Sequence, residues 1–327
     1  MNKNIKISVI ITSYNDWKYL KRIFKDLKDQ TVNKNQFEVL VLEAGLLYSS
    51  EINKYLKTKS NNIKLWFVDG LSRTKSLNFL VEKSKANLII RLDARSHISK
   101  SYISDIYKLS KKYNVANVGG VLIPIGEEKN QKIIASIMQH PLSFGGANFR
   151  NSNFNGIVET LYLGAFNKKL MPSRPWFDEI NPKISEDSDL NFRIRKNGGS
   201  IFLDSSIRVE YFAREDFKSF FKLCFNYGVG RGIFVQKNKT FLAYRQLIPP
   251  FCFLTSLGLF IFGFFNPLLH ILLVSLFAGY IALLSVFSFK ISIADKSFFK
   301  YLVGFFGCHF FWVLGFFMSF VKFKKLK

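Results

Sequence analysis

Cysteine is scarce. Cys224, Cys252 and Cys308 are too few and too scattered for a disulfide framework or a zinc site. Acidic residues are also few, 23 against 47 Lys and Arg, and the formal net charge is +24. No G-x-G-x-x-G follows the first apolar run and no G-x-x-x-x-G-K-[ST] occurs, so dinucleotide and P-loop readings lose their main support. No internal repeat or low-complexity linker stands out. Met1–Lys6 leads into only a short apolar run, so no signal peptide is expected. Aromatics, by contrast, are abundant. They make up 17% of the 327 residues, 37 of them Phe, and this excludes a disordered chain.

Charge is absent altogether from Gln246 to Phe289, where His270 is the only basic side chain. Pro249 and Pro250 open this run and Asn266-Pro267 interrupt it. A bilayer core about 30 Å thick takes roughly 20 helical residues. The run therefore predicts two membrane helices, about Leu247–Phe265 and Leu268–Phe289, and a third apolar segment follows at about Phe298–Val321. A buried helical core is the alternative. The tail, 322–327, is basic. The first 245 residues carry 40 basic and 22 acidic groups. The positive-inside rule places this soluble part in the cytoplasm, yet three full spans would put the basic tail outside. One segment is then re-entrant or interfacial. The expected organisation is a cytoplasmic domain at 1–245, a membrane region of two or three helices at 246–321 and the tail at 322–327.

The soluble part reads as alternating strands and helices. Ile7–Thr12, Phe37–Leu42, Ile63–Val68 and Leu88–Leu92 are short apolar runs of buried-strand type. Trp17–Leu27, with Asp16 as its cap, Thr74–Lys83 and Ser101–Tyr113 read as helices. This alternation predicts an α/β fold with a mostly parallel sheet covered on both faces. Ligands bind such sheets beyond the carboxyl ends of the strands, where Thr12, Glu43, Asp69 and Asp93 should gather.

The segments Ser8–Asn15, Phe37–Val41, Gly70–Arg73 with Asn78, Arg91–Arg95 and Ser185-Glu186-Asp187, in that order, resemble a family 2 glycosyltransferase of GT-A fold. The resemblance spans about Ile5–Gly232. Tyr227–Gly232 and the apolar segments after it look like the succinoglycan-type exopolysaccharide branch. The resemblance implies a Rossmann-like GT-A domain followed by C-terminal transmembrane helices. It also implies a nucleotide-diphosphate sugar donor, with UDP as the nucleotide expected, and Mg²⁺ or Mn²⁺ held by a D-x-D motif. Here the triplet is Asp93-Ala94-Arg95. Asp93 can contact the metal, whereas Arg95 binds phosphate and cannot ligate a cation. His97 stands nearby as a possible assistant. Thr12 and Tyr14 match positions near the base and ribose. Glu43-Ala44-Gly45 replaces the usual acidic pair or Asp-Gly-Gly, and Glu43 can accept from an imide N–H. Arg73 and Lys75 are candidates to neutralise phosphate. Asp187 matches the general base and Glu186 the residue that positions or contacts the acceptor. Arg231 replaces the arginine of Q-x-x-R-W as a diphosphate or acceptor contact.

Each assignment has a structural alternative. Asp93 can cap its loop, and Arg73 and Lys75 can simply start a helix. Ser185 as N-cap, acids in the first turn and Gly198-Gly199 at the end explain a helix without catalysis. Phe217, Phe220, Phe221, Cys224 and Phe225 are spaced for an amphipathic helix within a basic stretch at 214–245. That helix lies either on an anionic lipid surface or on the sheet, and the glycines of Tyr227–Gly232 allow a tight loop. The sequence is thus read as an inverting, multi-pass enzyme of the bacterial inner membrane, its catalytic domain in the cytoplasm. Its partners are a nucleotide sugar, a glycan or polyprenyl-diphosphate-linked acceptor and membrane lipids. A processive synthase and a non-catalytic scaffold on a degenerate GT-A fold are the rivals. Nucleic acid is excluded as a partner by the apolar tail and the lack of a reader motif.

Overall fold

A computed structural model of the chain describes residues 5–59, 62–150, 153–179, 185–241 and 246–324. It divides into two compact units. The first runs to Ile125 and takes in Gly145–Phe212, and the second joins Gly126–Phe144 to the chain from Ala213 onward. This division differs from the expected one: 213–241 goes with the C-terminal helices rather than with the sheet. Residue 245 itself and the end of the basic tail, 325–327, lie outside the described residues.

In the first unit, β1 (Ile7–Ser13), β2 (Phe37–Glu43), β3 (Ile63–Phe67) and β4 (Leu88–Asp93) pair in parallel in the order β3-β2-β1-β4. The two-residue period of a strand sends alternate side chains to opposite faces. Val9, Ile11, Val39, Val41, Ile90 and Leu92 meet α1 (Trp17–Lys28), α2 (Ser49–Lys59) and α4 (Tyr102–Lys112). Ile10, Leu40, Leu42 and Ile89 meet α3 (Arg73–Lys83) and α6 (Glu186–Lys196). With both faces covered, each buried Ile, Leu or Val contributes about 1.5–3 kcal/mol relative to exposure. α2 was not anticipated from the sequence. Asp16 takes the N-cap position of α1 but makes no side-chain cap bond.

Past β4 the sheet becomes mixed. β8 (Ala165–Asn167) lies antiparallel between β4 and β6 (Asn117–Ile125). β9 (Ile201–Phe212) is parallel to β6, and β5 (Ser96–Ile98) and β7 (Gly156–Ile157) are antiparallel to β9. The β6–β9 register shifts beside Gly120, where any Cβ would run into the Ile207 carbonyl. α6 is tied to this half by Asn191, which accepts from Asn117 at 2.9 Å and donates to Thr160 at 2.9 Å.

The second unit contains α5 (Lys129–Gln139), α7 (Phe217–Asn238), α8 (Ile248–Phe262), α9 (Pro267–Ser292) and α10 (Phe298–Lys324). Tyr227–Gly232, for which a tight loop was the structural alternative, is the continuation of α7. Gly228 and Gly232 face α10: a Cβ on Gly228 would strike the Trp312 carbonyl, and one on Gly232 the Ser319 hydroxyl. Gly315 of α10 meets the Phe225 carbonyl in the same way. Small residues let two helix backbones approach closely, a device frequent in membrane helix pairs. α9 and α10 are long and apolar enough to cross a membrane. α8 has 15 residues and spans about 22 Å, short of a bilayer core of about 30 Å. Of the three expected spans, α8 is therefore the one that falls short.

Candidate active site

The parallel strands end in a common row. Thr12 is the register partner of Asp93, and Ser13 of Glu43. Thr12 is half-buried between β2 and β4, while Tyr14, just beyond, is 65% exposed. Glu43 is buried and its Oε1 accepts the backbone N–H groups of Asn15 at 2.8 Å and Gly45 at 2.9 Å. A Cβ at Gly45 would displace the Asn15 side chain, which lies directly over it. The other oxygen of Glu43, Oε2, is buried without a protein partner among the described residues.

Next to this row lies a four-membered charge cluster. Arg73, the first residue of α3, donates from Nη2 to Asp93 Oδ1 at 2.6 Å, and its Nε lies 2.9 Å from Glu186 Oε1. Arg91 of β4 donates to the same Glu186 oxygen at 2.6 Å and stands 3.7 Å from Asp93 Oδ1. The Tyr162 hydroxyl donates to Asp93 Oδ2 at 2.7 Å. Burial by itself would push the Asp93 carboxyl up. Arg73 and Arg91, with hydrogen bonds from Arg73 and Tyr162, outweigh it and hold the group at about 2. Glu186 shows the same balance: burial raises it, the two guanidinium groups lower it further, and it ends below its ordinary value. Both carboxylates are therefore ionised at neutral pH.

Glu186 and Asp187 open α6 and differ in setting. Glu186 is buried in the cluster, whereas Asp187 is half-buried and accepts the Ser188 N–H at 2.8 Å. Ser185, expected as the N-cap, has left-handed backbone at φ 77° and makes no cap bond with its side chain. Asn78, one turn into α3, holds the chain that leads towards α6. It donates to the Phe177 carbonyl and to Glu179, both at 2.8 Å, and accepts the Phe177 N–H at 3.0 Å.

The cluster thus unites Arg73, Asp93 and Glu186 from the sequence reading, with Asp187 beside them. It does not include Arg95, whose guanidinium grips Asp16 at 3.0 and 3.3 Å and lies 4.2 Å from the Tyr19 ring centre. His97 is likewise turned to Asp26, at 2.8 Å, and assists nothing at Asp93. Arg231 lies on α7, in the second unit, near the Phe234 ring at 5.8 Å. Arg91 and the neighbouring hydroxyl donor Tyr162 escaped the sequence reading. A charge inside the apolar run Leu88–Asp93 was the available signal for Arg91; Tyr162 had none.

A divalent cation can be tested against this donor set. Among the described residues no three His, Cys, Asp or Glu side chains gather as a protein cage. Mg²⁺ is commonly held by one or two carboxylates plus substrate phosphates, and Asp93, ionised at neutral pH, fits that shared arrangement as a single ligand.

A parallel half-sheet, an acid-bearing row at its carboxyl end and a mixed half that brings in α6 define a GT-A-type glycosyltransferase domain. The crystal structure of GalNAc-T7 with UDP, GalNAc and Mn²⁺ shares this fold, with a TM-score of 0.50 and 13% identity over 65% of this chain and 45% of that one. The chain belongs to glycosyl transferase family 2, whose model matches residues 8–171. It is 23% identical over 278 residues to the dolichyl N-acetyl-alpha-D-glucosaminyl phosphate 3-beta-D-2,3-diacetamido-2,3-dideoxy-beta-D-glucuronosyltransferase of Methanococcus voltae, covering 83% of this chain and 82% of that protein. It is 21% identical over 247 residues to the succinoglycan biosynthesis protein ExoA of Rhizobium meliloti, covering 74% and 73%. The protein is a glycosyltransferase.

Proposed function

We propose that the chain moves a sugar from a UDP-linked donor to a lipid-linked glycan acceptor, with inversion, at the cytoplasmic face of the cell membrane. The observation that carries this reading is the convergence of Asp93, Arg73 and the Glu186–Asp187 pair at the carboxyl end of the parallel strands. The buried Glu43 Oε2 is an acceptor in search of a donor, and a uracil imide N–H supplies one. Exposed Tyr14 and half-buried Thr12 flank the base and ribose. A lipid-linked acceptor is supported by the name of the archaeal relative and by the apolar helices α9 and α10.

In the reaction, the acceptor hydroxyl oxygen attacks the anomeric carbon. Its proton passes to the Asp187 carboxylate, and the bond to the diphosphate breaks with its electron pair leaving on the nucleotide. A single displacement inverts the configuration. Arg73, 37% exposed in its side chain, is placed to meet a phosphate oxygen. Asp93 would hold Mg²⁺ or Mn²⁺, which supplies positive charge to the departing diphosphate. A panel of nucleotide sugars offered to membranes containing the protein tests this reading. UDP release from at least one UDP-sugar supports it, and release from none overturns it.

A further inference from the structure

Among the described residues of the first unit Arg91 is the most deeply buried cation, 2% exposed, on a strand otherwise made of Leu, Ile and Asp93. An arginine cannot shed its proton there, so it needs permanent counter-charges. It has them on two separate elements. Its Nη2 lies 2.6 Å from Glu186 on α6 and 3.7 Å from Asp93 on its own strand. Its guanidinium also faces the Phe177 ring at 5.6 Å, on the segment that Asn78 anchors. Arg73 touches the same two carboxylates, at 2.6 and 2.9 Å, but from the exposed side of the cluster. Two cations therefore serve two anions, one walled in and one open to solvent.

We propose that these two arginines divide the work: Arg91 is a positioning residue that locks α6, and with it Asp187, to the end of β4, while Arg73 is the exchangeable cation that leaves the carboxylates for the donor diphosphate. This rests on the donor reading given above. When Arg73 turns to phosphate, Asp93 and Glu186 keep Arg91 as counter-charge, so no buried acid is stranded. Both acids are reached through the one Nη2 atom, and the planar guanidinium also faces the Phe177 ring, a contact that the compact ammonium of a lysine on a flexible stem does not reproduce. Arg91 acts through Glu186 and the helix it opens, and touches no reacting atom.

The test separates affinity from turnover in the full-length, detergent-solubilised protein. UDP binding is measured by calorimetry, and turnover as UDP release from the donor found active with wild type. Arg73→Gln should weaken UDP binding about tenfold. Arg91→Lys should leave UDP binding within about twofold of wild type and lower turnover at least tenfold. Arg91→Met combined with Glu186→Gln should be no slower than Glu186→Gln alone, since the lock is already broken; thermal unfolding of each variant shows whether it is folded. Arg91→Lys with wild-type turnover overturns the inference. So does Arg91→Lys that weakens UDP as much as Arg73→Gln does, or a double variant whose losses multiply. Wild-type protein that binds no UDP would overturn the donor reading and this inference with it.

Discussion

Neutralising the two neighbouring acids one at a time should separate them by stability. Asp187→Asn keeps the shape and still offers an oxygen to the Ser188 N–H, now at 2.8 Å. It loses one charge in the first turn of α6, where the helix dipole is worth about 0.3–1 kcal/mol. Its stability should fall by less than about 1 kcal/mol. Its turnover should fall about 10²–10⁴-fold, the usual share of a general base. Glu186→Gln removes the charge that receives Arg91 at 2.6 Å and Arg73 at 2.9 Å. Breaking a buried pair by removing one partner costs about 3–5 kcal/mol, because the other charge is left uncompensated. For a unit of this size that lowers the melting temperature by roughly 6–20 °C. Thermal unfolding of the solubilised protein and initial rates of UDP release give both quantities. An Asp187→Asn protein that unfolds early but turns over normally would refute the reasoning. A Glu186→Gln protein as stable as wild type would refute it equally.

Three further outcomes are expected. Asp93→Ala should weaken UDP binding about tenfold or more, and chelation of Mg²⁺ and Mn²⁺ should do the same to wild type but nothing more to the variant; calorimetry decides, and unchanged wild-type binding in chelator contradicts it. Asp93 has its carboxyl held at about 2 instead of 3.8, so it adds about 2 kcal/mol of stability that is full above the ordinary carboxylate range and is lost as pH falls towards 2. The acid unfolding curve of Asp93→Asn should accordingly be flatter between pH 5 and 2 than that of wild type. Gly228→Ala, which would stabilise an isolated helix by up to about 1 kcal/mol, should instead cost about 1–3 kcal/mol because the Trp312 carbonyl occupies the place of the new methyl; an unchanged or higher melting temperature contradicts this.

The parallel half of the sheet was legible because strands buried on both faces read as nearly continuous apolar runs; Ile7–Ile11 and Phe37–Leu42 are broken only by Ser8 and Glu38, which hydrogen-bond each other at 2.9 Å. The mixed half was not. β7 and β8 have two and three residues, too few for any period, and their pairing comes from distant partners. The same limit hid the charge cluster. Glu186 meets Arg91 across 95 residues and Tyr162 meets Asp93 across 69, so nearness in sequence pointed to Arg95 and His97 instead. Both of those lie on or beside β5, and they are taken up by Asp16 and Asp26, 79 and 71 residues away in sequence. The glycines of Tyr227–Gly232 read as loop formers because glycine ordinarily breaks helices. Here Gly228 and Gly232 lie in the contact of α7 with α10.

The central claim, that Asp187 drives transfer of a nucleotide-linked sugar to a lipid-linked glycan, meets its most direct test in one labelling measurement. Membranes containing the full chain are incubated with a radiolabelled UDP-sugar and extracted with organic solvent. The account predicts label in the extracted lipid with wild-type protein and at least a hundredfold less with Asp187→Asn. Equal labelling by the two proteins would contradict it.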